Sequence, residues 1–411
     1  MKNDIIRKMK MKHGIIIAGS GRGLYFADLL ARTPGLKESC SVKAVADIRK
    51  ENHDALRTRL NESGLTETKI FTTLPEALEE LPGEEAESVL VVTPNTTHAE
   101  LTEQSLRAGR HLLLEKPIAA DWADAARIQQ AAAKFPDRII QLGFTLRYST
   151  FYRKVVSIVE SGMLGRVVMI RSNERLSFTH SSAYRRGWRR HTAATGGLMN
   201  EKCCHDLDLL NWILKKQAAP REVYSVGGNE LFPPHPEAPL KCADCTDHAC
   251  VFRNHPERIN SLRYGLAVDK EYYGNCIYHT DADVMTNQSV TVRYDDNSQA
   301  VFTIILYAGT DEQRDFMIHG TNGLLSGDLK YGRIELKLFR ENTHEIFELP
   351  GGMHGDGDIG ILSDFFACIE NGRQPDATVE DGILASKIAF AANLSVREER
   401  VVKLDEFKVQ A

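Results

Sequence analysis

The sequence predicts an α/β protein of two domains. The first is a doubly wound parallel sheet over residues 1–145. The second, over 146–411, is an α+β domain with a large, open and mostly antiparallel sheet. Three observations carry this. Up to about residue 145, short apolar strands alternate with amphipathic segments, the pattern of βα units whose parallel strands are covered on both faces. Beyond that point strand-like runs follow one another, separated by turns such as Asp295-Asp296-Asn297 and Thr321-Asn322-Gly323, as antiparallel sheets require. A chain of 411 residues is also long enough for two separate cores.

The first strand, Ile15–Ile17, is β-branched throughout and runs into the turn Gly19-Ser20-Gly21-Arg22-Gly23. Leu24, Phe26, Ala27, Leu29 and Leu30 then recur with helical spacing. Strand, glycine turn and helix in that order make a phosphate cradle, because glycine lets the backbone approach a pyrophosphate and the helix N-terminus offers free N–H groups. The third glycine comes one residue earlier than in G-x-G-x-x-G, since position 24 is leucine. Further strands are expected at Val42–Ala46, Lys69–Phe71, Ser88–Val92, His111–Leu114 and Ile139–Gly143, with helices at Glu51–Asn61, Leu74–Leu81, His98–Ala108 and Trp122–Lys134. Asp47 ends the second strand, where a carboxylate can accept a hydrogen bond from an adenosine ribose 2′-OH and would repel a 2′-phosphate. That favours NAD over NADP. Cofactors in such sheets sit beyond the carboxyl ends of the strands, and two of those ends carry Thr93-Pro94-Asn95-Thr96-Thr97-His98 and Glu115-Lys116-Pro117.

After Tyr148 a helix is expected at Phe151–Ser161 and a strand at Arg166–Asn173. An arginine-rich stretch, Thr179–Thr195, leads to the Gly196-Gly197 turn and a helix over Met199–Lys215. Strands follow at Glu222–Val226, Gln288–Tyr294, Ala300–Tyr307, Asp315–His319, Gly323–Ser326, Arg333–Leu338 and Glu345–Glu348, and helices near Ile359–Asn371 and Glu380–Arg397 close the chain. A proline-rich block over about 231–275, opening PPHPEAP, reads as an insertion that needs its own means of holding shape. It contains Cys242, Cys245 and Cys250, with Cys276 just beyond. Four thiols at C-x2-C-x4-C-x25-C suit a closed structural zinc site, with His248, His255 and His279 as alternative ligands. A loop without metal is the competing reading. Cys40, Cys203, Cys204 and Cys368 fall in helical or strand-like settings and read as packing residues.

The composition is that of an ordinary globular chain, 42% hydrophobic and 26% charged, with a formal net charge of −5. This gives no reason to expect nucleic acid or an anionic membrane as partner. No apolar run approaches the ~20 residues of a membrane-spanning helix. The N-terminal MKNDIIRKMKMKHG lacks the apolar core of a signal peptide and reads as a disordered lead-in. A cytoplasmic location is expected, where cysteines serve as thiols or metal ligands more often than as disulfides.

Lys116 follows a strand and precedes Pro117, which places it at the carboxyl edge of the sheet. There it can hydrogen-bond a substrate hydroxyl and relay its proton; a solvated loop lysine is the alternative. Glu201, His205 and Asp208 share one helical face by spacing. A histidine flanked by carboxylates is a candidate general base, against a buried, hydrogen-bonded structural histidine. Tyr184, Arg185, Arg186, Trp188, Arg189 and Arg190 crowd one short segment. Arginine suits anionic groups and the aromatic rings suit a sugar face, whereas salt bridges stitching a domain interface would use the same arginines.

Together these residues resemble the Gfo/Idh/MocA family, named for glucose–fructose oxidoreductase, inositol dehydrogenase and a rhizopine-catabolism protein. The resemblance rests on the glycine turn, Thr93-Pro-Asn-x-x-His98, Glu115-Lys-Pro117, Gly143-Phe-x-x-Arg147-Tyr148 and Gly196-Gly…His205-x-x-Asp208. The cysteine block, Cys276-Ile-Tyr-His-Thr-Asp-Ala-Asp283 and His354-Gly-Asp-Gly-Asp358 look like marks of a subgroup. The resemblance implies a Rossmann domain, a C-terminal α/β domain whose open sheet mediates oligomers (a dimer or tetramer), and NAD(P)-linked oxidation of a hydroxyl on a sugar, cyclitol or related glycoside. It implies Lys116 and His205 as the catalytic lysine and histidine. Members with the full triad carry an aspartate four residues before the histidine, and here Glu201 holds that position.

Cofactor contacts are therefore expected from Gly19, Ser20, Gly21, Arg22, Gly23, Asp47, Thr93, Pro94, Asn95, His98 and Glu115. Substrate contacts are expected from Arg147, Tyr148, Tyr184, Arg185, Trp188, Lys202 and Asp208. Two alternatives keep the same site: a glycosidase using NAD transiently for oxidation and elimination, and a non-catalytic NAD-binding sensor.

Overall fold

The computed structural model describes residues 13–232, 235–253, 274–340 and 342–408. The lead-in up to residue 12, Pro233-Pro234 of the insertion, and His255 lie outside the described residues. Six strands form the first sheet: β1 (His13–Ala18), β2 (Cys40–Ala46), β3 (Lys69–Phe71), β4 (Ser88–Val91), β5 (His111–Leu114) and β6 (Ile140–Leu142). They pair in the order β3-β2-β1-β4-β5-β6 and all run parallel. Ile15, Ile16 and Ile17 are fully buried between the helical layers, as an uninterrupted apolar strand in a doubly wound sheet must be. The strand order reverses between β1 and β4, which is where such sheets open a crevice for ligand. The glycine turn after β1 and the Thr93 loop after β4 face each other across it.

The second sheet has nine strands: β7 (Val167–Arg175), β8 (Pro220–Gly228), β9 (Asn287–Tyr294), β10 (Gln299–Ile305), β11 (Gln313–Gly320), β12 (Gly323–Asp328), β13 (Arg333–Leu338), β14 (Thr343–Glu348) and β15 (Val402–Lys403). Their order is β14-β13-β12-β11-β7-β10-β9-β8-β15. Every pair is antiparallel except β7 with β10. One face packs on the helices Cys204–Leu214 and Val379–Glu398. The other carries Tyr224, Val226 and Ile305 exposed in neighbouring rows.

The Val379–Glu398 helix also packs on the Trp122–Lys134 helix of the first sheet, so it binds the two halves together. Its start is capped by Thr378, whose side chain accepts from the Asp381 amide. Asp381 accepts from Arg147 Nη1 at 3.0 Å, and Arg147 also clasps Asp208 through Nε at 2.7 Å and Nη2 at 2.6 Å. A buried, bidentate pair of this kind fixes geometry as well as contributing energy.

The described part of the insertion is held by rings. Phe232 lies 4.7 Å from Tyr307, 5.1 Å from Phe252 and 5.8 Å from Tyr278 between centroids, in edge-to-face arrangements, and Phe178 closes the cluster on Phe252. Arg186 ties it down by donating to the carbonyls of Asn275 (2.7 Å) and Phe252 (2.8 Å). Among the described residues no three His, Cys, Asp or Glu side chains come together as a metal site. The zinc expected on Cys242, Cys245, Cys250 and Cys276 therefore finds no support here. Arg186 Nη2 instead approaches Cys242 Sγ at 3.7 Å.

Candidate functional site

The glycine turn divides three jobs among its glycines. Gly19 has φ +98°, and its N–H donates to Ala46 O at 2.8 Å; a side chain there would strike the Val92 carbonyl. Gly21 opens the helix Gly21–Arg32, and a Cβ added to it would meet nothing within 4 Å. This is open space above free N–H groups. Gly23 packs on β1, since a Cβ would come within 2.7 Å of Ile17 Cγ2. The early third glycine thus does the close helix–strand packing that the spacing of G-x-G-x-x-G assigns to a later residue.

Asp47 Oδ2 accepts from both the amide and the hydroxyl of Ser20, and Oδ1 accepts from Arg49 N at 2.8 Å. The carboxylate is thereby held beside the glycine turn, with Oδ2 filled by its two donors and Oδ1 keeping a second lone pair for a ligand. Ile48, beside it, is 78% exposed. Sequence reasoning passed over this isoleucine, although an apolar residue at a polar strand end was visible. Arg22, grouped with the cofactor contacts, is instead committed inside the protein: Nε pairs with Glu115 and Nη2 with Asp358 at 2.7 Å.

The two loops of the crevice are latched together by His98. Its Nε2 lies 3.1 Å from Thr93 O and its Nδ1 3.0 Å from Pro117 O, and the neutral ring donates to one of these carbonyls at a time. Burial holds its pKa below the usual value, its backbone partners acting the other way. This buried histidine joins the Thr93 loop to the cis Lys116–Pro117 peptide. Asn95, from the same loop, reaches across to the second half and donates to Glu201 Oε2.

Around Glu201 the structure departs from the expected continuous helix. Leu198–Glu201 ends at Lys202, and a new helix begins at Cys204. The interruption leaves the Glu201 carbonyl to accept from Lys116 Nζ at 2.9 Å. The Glu201 carboxylate is buried, and Arg189 donates to it from Nε at 2.5 Å. Burial pushes its pKa up, but Arg189, Lys116 and Asn95 together outweigh this and hold it below the ordinary range. Arg189 is stacked over Trp188, 4.7 Å from the ring centroid, and Trp188 keeps a partly open face.

His205 stands on the first turn of the second helix, 4% exposed, with Phe144 edge-on at 6.1 Å and the His354 ring at 5.8 Å. Its Nδ1 has no hydrogen-bond partner among the described residues. Burial, then the charges of Lys116, His354, Arg314 and Lys202, push its pKa well below 6.5. The ring is a neutral acceptor at ordinary pH. His354 was not among the expected site residues, yet it sits against His205 and is bonded by Nδ1 to Asp358 at 3.1 Å.

The remaining residues grouped with substrate are buried inside the protein. Arg147 and Asp208 form the internal clasp described above, each 1% exposed. Tyr148 Oη accepts from Ala377 N at 3.2 Å. Tyr184 is buried beside His180, and Lys202 pairs with Glu174 at 2.8 Å. Arg185 donates to Asn229 Oδ1 at 3.0 Å and faces the Phe232 ring, and Arg190 pairs with Asp281. Arg186 hydrogen-bonds the insertion and Arg185 faces its Phe232 ring, Arg190 bonds just beyond it at Asp281, and Arg189 alone of the four reaches Glu201.

Comparison with known proteins agrees with this layout. Residues 12–144 match the model of an oxidoreductase family described as an NAD-binding Rossmann fold, and residues 156–404 match the C-terminal alpha/beta domain of the same family, GFO_IDH_MocA. Myo-inositol 2-dehydrogenase of Thermotoga maritima is 25% identical over 363 residues, 88% of this chain and 91% of that protein. Inositol 2-dehydrogenase of Streptomyces avermitilis is 31% identical over 204 residues, 50% of this chain and 54% of its own length. Among solved structures, scyllo-inositol dehydrogenase from Lactobacillus casei with bound NAD(H) and scyllo-inositol superposes with a TM-score of 0.70. It is 19% identical and covers 96% of this chain and 99% of the other, a likeness of fold.

Proposed function

The chain belongs to the Gfo/Idh/MocA family of oxidoreductases, and on that premise we propose that it is an NAD-dependent dehydrogenase acting on a hydroxyl of a sugar or cyclitol. The observation that carries the reading is a convergence from two domains. Asn95 and Lys116 come from the parallel-sheet half, Glu201 and His205 from the other, and they meet where Lys116 Nζ touches the Glu201 carbonyl. The inositol dehydrogenases among its relatives support a polyol as the substrate class.

The first half fits a dinucleotide. Gly21 leaves the space a pyrophosphate needs at a helix N-terminus, Asp47 offers the ribose an oriented carboxylate, and exposed Ile48 offers the adenine an apolar wall. When bound, NAD supplies the hydride acceptor. The protein's own part is to position and to move a proton. Lys116, held on a backbone carbonyl rather than on a carboxylate, keeps two N–H donors for a substrate oxygen. His205, neutral and buried, accepts the hydroxyl proton. Glu201 fixes Asn95 and Arg189 around them, and Trp188 gives the sugar ring a face.

Replacing Lys116 with alanine should leave NAD affinity within about twofold and lower turnover by about 10²–10³, the usual worth of one donor to an oxygen on which charge develops. Undiminished turnover would remove Lys116 from the mechanism. Product appearing in step with NADH supports the dehydrogenase; glycoside cleavage without net NADH would favour transient oxidation and elimination instead. We further propose assembly into a dimer or tetramer through the open sheet face bearing Tyr224, Val226 and Ile305, which light scattering on the purified protein checks.

A further inference from the structure

Resting on the dehydrogenase reading, we infer that His354, held by Asp358, is the positioning residue through which the proton taken up by His205 leaves the buried site. Oxidising a CH–OH carbon to C=O sends two electrons and one hydrogen to the dinucleotide as hydride and releases one further proton from the oxygen. That proton must reach solvent once per turnover. His205 cannot deliver it directly, being 4% exposed. Nor does its surroundings let it keep the proton, because burial and the nearby cations Lys116, Arg314 and Lys202 all oppose an imidazolium there.

The ring beside it is built for the next step. His354 lies 5.8 Å from His205 between centroids, with no direct hydrogen bond between the rings, a gap that one water spans, and its side chain is 23% exposed. Its Nδ1 faces Asp358 Oδ2 at 3.1 Å. With that nitrogen donating to a carboxylate, Nε2 is left as the acceptor. Asp358 is itself fixed by Arg22 Nη2 at 2.7 Å and Tyr25 Oη at 3.2 Å. The titratable and charged groups around the pair are Arg22 and Tyr25 from the first helix, Glu115 beyond β5, and His205 with Lys116 behind it. The proton passes from His205 to Nε2 of His354 and from there to bulk water. One N–H bond breaks as another forms, no electrons move, and both rings return to neutral.

The test uses the full chain with NAD and a panel of inositols and sugars. In the wild type the oxidation rate should not depend on buffer concentration. In His354→Ala, kcat should fall at least about tenfold, with KM and NAD affinity within about twofold. The rate should climb again in proportion to added imidazole, a small carrier replacing the lost one. Asp358→Asn should show the same buffer dependence with a smaller loss. A loss in His354→Ala that imidazole does not restore, or that appears in KM alone, assigns the residue a structural role and overturns the relay. In the cofactor-free protein, ¹⁵N spectra should place the proton of neutral His354 on Nδ1; a proton on Nε2 overturns the proposal as well. Absence of NADH with the wild type across the panel would sink the dehydrogenase reading and the relay with it. Activity with a buffer-independent His354→Ala sinks the relay alone.

Discussion

His205 makes a pH statement that separates it from an ordinary histidine. Its pKa lies well below 6.5, through burial first and the charge of Lys116 next. As the proposed base it is therefore already deprotonated across the neutral range. The kcat/KM profile for oxidation should hold its plateau down past pH 6.5 and show its acid limb only below that; an acid limb near pH 7 would assign the base to a different group. At this scale the sequence was informative about identity and less so about geometry. Lys116 and His205 stand out by motif, but Glu201 and His205 were placed on one helical face by i, i+4 spacing. The turn at Lys202 breaks that helix and hands the Glu201 carbonyl to Lys116. Spacing cannot reveal such a break, because residues 198–214 are all compatible with helix and the competing partner, Lys116, comes from about 85 positions away.

Among elements, the strands were the most legible part, since alternating burial shows directly in the order of apolar residues. All eight strands expected after residue 166 are present, and Arg333–Leu338 ends where it was expected to end. What pattern could not show was the parallel pairing of β7 with β10 or the two-residue β15, both of which depend on partners distant in sequence. The insertion is the element whose means of holding shape composition left open. Its cysteines suggested metal, while its phenylalanines and tyrosines, scattered over 178–307, carry the packing. Phe232→Ala should remove the ring at the centre of that cluster at a cost of about 3–5 kcal/mol. Limited proteolysis should then cut within 235–253 much faster than in the wild type, with the parallel-sheet half left intact. Equal cutting rates would show that the block is held by something else.

At the scale of the molecule, the two halves are joined at both ends of the first sheet. At the carboxyl ends the joint is the site itself. At the amino ends it is His13, stacked on Phe366 at 5.1 Å, with Nδ1 on Glu87 and Nε2 on Glu370 of the second half at 3.2 Å. Burial lowers the His13 pKa, but the two carboxylates outweigh it and raise the pKa above 6.5. A raised folded-state pKa adds stability that is complete below pH 6.5 and fades as pH climbs through the folded value. His13→Gln should accordingly lower Tm more at pH 6 than at pH 9, and an equal loss at both would show that the clip does not depend on charge. The joint at the other end has an optical consequence. The chain contains three tryptophans. Trp122 packs on Phe407 and Trp212 lies against the buried Arg147, both away from the crevice. Trp188 alone borders it, with the guanidinium of Arg189 laid over its ring. On the proposed reading a sugar that takes that face must shift the cation or share the ring with it, so intrinsic tryptophan fluorescence should change with added substrate in the wild type and not in Trp188→Phe; an equal change in both would take Trp188 out of the sugar site.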